Sequence, residues 1–216
     1  LTSCDLRPVV QSGNDMLASV LVCQGEISSR SQTEAVEVSI GTLELMESAA
    51  WLLEKRVVRA LDSTAQPVSA PIFPYQVATA LGEYLAPGLN EDGLLACVLA
   101  SLQSSDAPAA FPEALKIASD AIAQGDDPVS LLRSSVGAAL KQGAGTLDAQ
   151  FQALETEFNG TGIMAIAMRQ IIHTARAAFQ MREKDPFFEL AMIADISSGI
   201  SVQQILQRIP SCALKQ

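Results

Sequence analysis

The chain has 216 residues, 49% of them hydrophobic and 18% charged, with a formal net charge of −10. That length and apolar share supply a buried core and exclude wholesale disorder. The 14 Lys and Arg residues are scattered along the chain, which excludes the clustered basic surface that displaces counterions from nucleic acid.

The chain opens Leu1-Thr2-Ser3-Cys4 rather than with Met. Those four residues look like the end of a bacterial lipoprotein signal. The three residues before the cysteine would leave with such a signal, so a mature lipoprotein is not expected. The absent Met marks a processed or cut chain. Together with the sequon Asn159-Gly160-Thr161, a glycosylation site in a turn-like context, it points to an extracellular protein. Cys4, Cys23, Cys97 and Cys212 are even in number and suit disulfides in that setting. Four thiols allow three pairings, and sequence does not choose among them. The alternative is four buried, reduced thiols, since free Cys is an ordinary core residue.

Among the first elements, Val9-Val10 and Val20-Leu21-Val22 are β-leaning but too short to seed a sheet. Ser31-Gln32-Thr33-Glu34 fits a capping box. Behind it, Val36, Ile40, Leu43, Met46, Ala50, Leu53, Val57 and Leu61 recur at steps of three and four, predicting one apolar face of a long helix. Glu34, Glu37, Glu44 and Glu47 lie early and Lys55, Arg56 and Arg59 late, as the helix dipole prefers. Residues 63–74, with Pro67 and Pro71, form a proline-broken connection. They are the best sub-boundary within a single domain 1–216, dividing a long-helix part (1–62) from a helical remainder (75–216).

Beyond that connection, stops recur at Pro87-Gly88, Pro108, Gly125, Gly143-Ala144-Gly145, Asn159-Gly160, Pro186, Gly199 and Pro210. Each predicts a helix break or turn. Asp127-Pro128 and Asp185-Pro186 each read as an N-cap followed by Pro at the first helical position. Glu113–Arg133 and Glu189–Arg208 share an Ile-Ala pair, then a glycine, then an aliphatic pair six and seven residues on. Gly88 is followed by Leu94-Leu95 at the same offsets. C-capping glycines between amphipathic helices account for this likeness without duplication. The predicted fold class is all-α: a multi-helix bundle of about seven to nine helices built from helix-turn-helix units.

Metal chemistry has little to draw on, because His173 is the single histidine and no Cys-x-x-Cys occurs. Glu91-Asp92 and Asp126-Asp127 sit where helices begin, and capping explains them. No Gly-x-Ser-x-Gly elbow is present, and aliphatic neighbours from Leu94 to Leu99 raise the pKa of the Cys97 thiol. Gly143-Ala144-Gly145 lacks the Lys-Ser/Thr ending of a P-loop. No catalytic, cofactor-binding or metal residue is therefore assigned, no cofactor is expected, and the chain is not read as an enzyme. No run reaches the roughly 18–20 apolar residues that cross a bilayer, so no transmembrane segment is expected. Arg169, His173 and Arg176 share one helical face at steps of four and three, a spacing that suits contact with a carboxylate or sulfate. The competing account is a solvated or salt-bridged face on a helix whose other side carries Ile163, Ile166, Ile171 and Phe179.

Residues Tyr75 to Leu102 contain Leu81-Gly82-Glu83-Tyr84-Leu85-Ala86-Pro87-Gly88-Leu89-Asn90, followed by Leu95-Ala96 and Leu99-Ala100-Ser101-Leu102. This stretch resembles the helical domains of spider silk proteins. The resemblance implies a secreted, non-catalytic helical bundle that supports storage and fibre assembly. The chain departs from that family in its four cysteines, its many Glu and Arg residues and its lack of a Ser/Ala tract, and no functional residue carries over.

The expected function is a non-catalytic structural or interaction module acting through self-association or a protein partner. The alternative is a carrier of a small hydrophobic ligand, lipid or pigment. Its pocket would draw on Met16, Met46, Met164, Met168, Met181 and Met192 together with Phe151, Phe158, Phe179, Phe187 and Phe188.

Overall fold

The computed structural model describes residues 1–10, 17–28, 33–66 and 69–209. Among those residues it is 68% helical, with eight helices beside one small sheet, so the all-α bundle holds and the sheet is an addition. The chain divides into two compact units, Leu1–Leu132 and Arg133–Gln216. The division falls inside a helix, and the proline-rich segment 63–74 lies within the first unit.

The first unit opens with an antiparallel sheet of order β1-β2-β3: Ser3–Val10, Leu17–Ser28 and Thr33–Ile40. Two sequence expectations are corrected here. The β-leaning runs do seed a sheet, and the helix predicted from Val36 begins only after Ile40. Val36 and Ile40 stand four apart, a step that fits a helix and a strand equally. Val38 shares their parity, and pairing with β2 puts Cys23 opposite Val38 and Leu21 opposite Ile40. Once that partner is present, alternation with exposed Ala35, Glu37 and Ser39 decides for the strand. Of the predicted capping box, Thr33 and Glu34 belong to β3, while Ser31 and Gln32 lie outside the described residues.

Helix α1 spans Thr42–Leu61. Its N-terminus is held by the Gly41 N–H donating to Glu44 Oε2 at 2.8 Å, the reciprocal half of a capping box. The predicted apolar stripe of α1 faces mostly outward: Leu43, Met46, Ala50 and Leu61 are exposed, and Leu53 and Val57 half-buried. The inward face is Leu45, Ser48, Ala49 and Leu52. Small Ser48 and Ala49 let the following segment approach closely, and a serine hides that face from any count of apolar spacing. Fully buried, Ser48 Oγ donates to the Pro74 carbonyl at 3.2 Å and accepts from the Ala78 N–H at 3.4 Å. It thereby pins the kinked turn Ile72–Gln76 and the start of α2 (Val77–Leu85) onto α1.

Helix α3 (Glu91–Ser101) is the centre of this unit, with Gly93 to Leu99 and Ser101 all buried. A helix apolar all round belongs in a core. The Asn90 side chain accepts from Gly93 N–H at 2.8 Å and starts it. It packs chiefly on α4 (Ala107–Gln124) and α1. Ser19 of β2 donates to Asp106 Oδ2 at 2.6 Å, tying the sheet to the residue that caps α4.

Helix α5, Pro128–Glu157, starts as Asp127-Pro128 predicts, with Asp127 accepting from Val129 N–H at 3.3 Å and Ser130 N–H at 3.1 Å. It then runs through Gly143-Ala144-Gly145 unbroken, correcting the expected break. Each glycine costs a helix about 1 kcal/mol against Ala, too little to interrupt a cooperative run already propagating on both sides. The second unit comprises α5 from Arg133, α6 (Ile163–Lys184), α7 (Phe188–Ser197) and α8 (Val202–Leu206). Among its described residues, Ile172, Pro186, Phe187, Ile193, Ile196 and Ile205 are buried. Asp185 ends α6 instead of capping α7, and its carboxylate accepts from Phe187 N–H at 3.0 Å across a turn. Helix α7 thus begins two residues beyond the predicted position. The glycines of the repeated pattern, Gly88, Gly125 and Gly199, have φ of 91°, 80° and 96°. Left-handed residues after helices are what the capping account requires.

Candidate functional site

Four sites carry chemistry or exposed apolar area. On α6, Arg169, His173 and Arg176 do share a face, but the guanidiniums turn to the protein's own acceptors. Arg169 Nη1 donates to the Phe158 carbonyl at 2.8 Å and the Gly160 carbonyl at 2.6 Å, closing the end of α5. Arg176 donates to Glu155 at 2.6 Å, lies 3.5 Å from Asp148, and stacks 5.4 Å from the Phe151 ring centre. Around it is a cleft of about 310 Å³ that also includes Phe179 and Glu183. Carboxylates there leave little positive potential for an anion. His173 is exposed. Asn159 is exposed in the turn that Arg169 holds, open to an attached glycan.

The cysteines separate into two kinds. Cys97 is fully buried in α3, and burial pushes its thiol up to about 12, leaving it inert at neutral pH. Cys4 and Cys23 stand directly opposite each other on β1 and β2, with their sulfurs 2.8 Å apart and both as free thiols. The hydrogen bond from Cys23 holds the Cys4 pKa below that of an ordinary thiol, while the same bond and burial raise Cys23. Cys4 is half-buried and Cys23 buried. Cys212 lies outside the described residues.

A cleft of about 380 Å³ runs between α1 and residues 69–75. Glu47, Trp51, Glu54 and Val58 line it from α1 at helical spacing, and Ser69, Pro71 and Tyr75 form the other wall. Lys55 sits 5.1 Å from the Trp51 ring centre and is neutralised by Glu91. Among the described residues neither Glu47 nor Glu54 has an ion-pair partner, so the cleft is aromatic and negative. Such a lining suits a small cationic group. The steps of four and three from Glu47 were present in the sequence, but the opposing wall comes from a connection with no periodic pattern.

Apolar side chains are also exposed at the start of α6. Ile163 is 88% exposed, Met164 71% and Ile171 51%, with Ala167 half-buried between them. These four lie within roughly 100° of helix circumference, so they form one face. Among the described residues no group of three or more His, Cys, Asp or Glu is placed to hold a metal ion. No described helix is long and apolar enough to cross a membrane. Comparison with protein-family models, curated proteins and solved structures returned no match for this chain.

Proposed function

We propose that this chain is a non-catalytic, extracellular helical module that works by association, with copies of itself or with a protein partner. The observation that carries the reading is the outward apolar face of α6 formed by Ile163, Met164, Ala167 and Ile171. Grouped exposure of large aliphatic side chains marks an interaction surface, because leaving them in water gains nothing for an isolated chain. A second outward stripe on α1 (Leu43, Met46, Ala50, Leu61) is of the same kind. The exposed sequon at Asn159 suits an extracellular setting. The likeness of Tyr75–Leu102 to silk helical domains points the same way.

Light scattering on the intact chain and on an Ile163→Glu, Met164→Glu double variant tests this reading. The parent is expected at a multiple of 22.8 kDa and the variant shifted towards 22.8 kDa. A parent that is monomeric at every concentration, and that recovers no partner from its own source, overturns it.

The carrier of a hydrophobic small molecule ranks second. Met46 and Met164 are exposed and Met168, Met181 and Met192 half-buried, whereas the fully buried aromatics are Phe111 and Phe187. Of the described thioethers, Met46 and Met164 therefore sit where association would use them. The α1 cleft, with Glu47 and Glu54 in its wall, suits a cationic group better than a lipid.

A further inference from the structure

We infer that Cys4 and Cys23 are a redox pair, oxidised to a cross-strand disulfide by a small-molecule disulfide of the glutathione class, while Cys97 remains a thiol. Three independent observations carry this. The β1–β2 register sets Cys4 opposite Cys23, which fixes the two backbones at the separation of adjacent strands. Cross-strand neighbours in an antiparallel pair have Cα atoms about 4.5–5.5 Å apart, within the range that disulfides span. The side chains already turn towards each other, with 2.8 Å between sulfurs, so bond formation needs little backbone movement. Finally, the two thiols differ as an attacking and a resolving group should. Cys4 is half-buried and can be reached from solvent, whereas Cys23 is buried directly behind it. The hydrogen bond from Cys23 favours the Cys4 thiolate, the form that attacks.

The exchange balances without any further reagent. The Cys4 thiolate attacks one sulfur of the oxidant, the oxidant's S–S bond breaks, and one half leaves as a thiolate while the other stays on Cys4 as a mixed disulfide. Cys23 gives up its proton to the departing thiolate and attacks the Cys4 sulfur. The Cys4–Cys23 bond forms, the mixed disulfide breaks, and the second half leaves as a thiolate, which takes from solvent the proton that Cys4 lost on ionising. The chain loses two electrons and two protons, and one oxidant molecule becomes two thiols. Cys97 cannot compete, because its sulfur is fully buried in α3 and donates to the Ala114 carbonyl at 3.5 Å.

The test uses the full chain equilibrated with mixtures of reduced and oxidised glutathione, quenched in acid, alkylated and digested without reduction. Cleavage before Asp5 and Asp15 separates Cys4 from Cys23, so a link between them appears as one joined species lighter by two hydrogens than its two peptides. That species is expected from the parent and equally from a Cys212→Ser variant, with Cys97 alkylated only after unfolding. A Cys23→Ser variant is expected to retain glutathione on Cys4, the trapped mixed disulfide. Free alkylation of both Cys4 and Cys23 in the fully oxidised mixture overturns the inference. So does a parent in which either residue is joined to Cys97 or Cys212. Should Cys23→Ser fail to fold, the parent's linkage map decides alone.

Discussion

Glu91 shows how single side chains hold the first unit together. It opens α3 and meets Lys55 and Arg59 of α1 (the Arg59 contact at 2.6 Å), while neighbouring Asp92 meets Arg56 at 2.7 Å. Partial burial opposes the Glu91 charge, but the bond and charge of Lys55, with Arg59 and Arg56, more than offset it and hold its pKa below the ordinary 4.5. A carboxylate with a lowered folded-state pKa adds stability that is fully present above its ordinary value. That stability is lost as pH falls through the lowered value. Glu91→Gln is therefore expected to cost about 0.5–1 kcal/mol near neutral pH, a modest figure because the side chain is a third exposed and water screens the pairs. The difference from the parent should close in acid, once pH has fallen below that lowered value and the parent's carboxyl is protonated. Urea denaturation of both proteins at the two pH values checks this. An equal loss at both would show that shape, not charge, is what the substitution removes.

At the scale of elements, the glycines of α5 and of the helix ends make opposite predictions. Gly143 lies in the interior of α5 with open space where a Cβ would stand. Gly143→Ala is expected to raise stability by about 0.5–1 kcal/mol, since alanine loses less backbone freedom in a helix. Gly125 follows α4 at φ +80°, where a side chain meets the backbone, and Gly125→Ala is expected to cost about 1 kcal/mol. Denaturation midpoints of the two variants check the pair. A destabilising Gly143→Ala would mean that α5 bends there. The same contrast explains what could be read from the residues alone. A glycine at a helix end and a glycine inside a long helix are identical in sequence, and only the neighbours' propagation separates them. Asp127-Pro128, the capping glycines and the buried run from Leu94 to Leu99 were legible because each is decided by local sterics or by sheer apolar content. The strand over 33–40 was not, because its partner β2 supplies the deciding hydrogen bonds from elsewhere in the chain. The inward face of α1 was hidden for a related reason: its contact residue, Ser48, is polar and its partners lie in the 74–78 segment. Of the candidate sites, the Cys4–Cys23 pair needed the β1–β2 register, and the α1 cleft needed a wall from residues 69–75.

Over the whole molecule, two long-range effects oppose each other in any self-association. Outward apolar faces on α1 and α6 favour contact, and their contribution scales with the area removed from water. The net charge of −10 repels a second copy at the same time. Only the second term responds strongly to moderate salt: between about 0.01 and 0.15 M the screening length falls from roughly 30 to 8 Å. Copies that meet through the apolar faces should therefore bind more tightly as salt is added. A fall in the dissociation constant of about threefold to tenfold over that range corresponds to roughly 0.7–1.4 kcal/mol of relieved repulsion. Sedimentation velocity across the salt series measures it directly. Association that weakened with salt would instead point to contacts made by opposite charges, and would remove the apolar face of α6 from its role. Because the Ile163→Glu, Met164→Glu variant adds two negative charges to that face, its residual association should show the steeper dependence on salt.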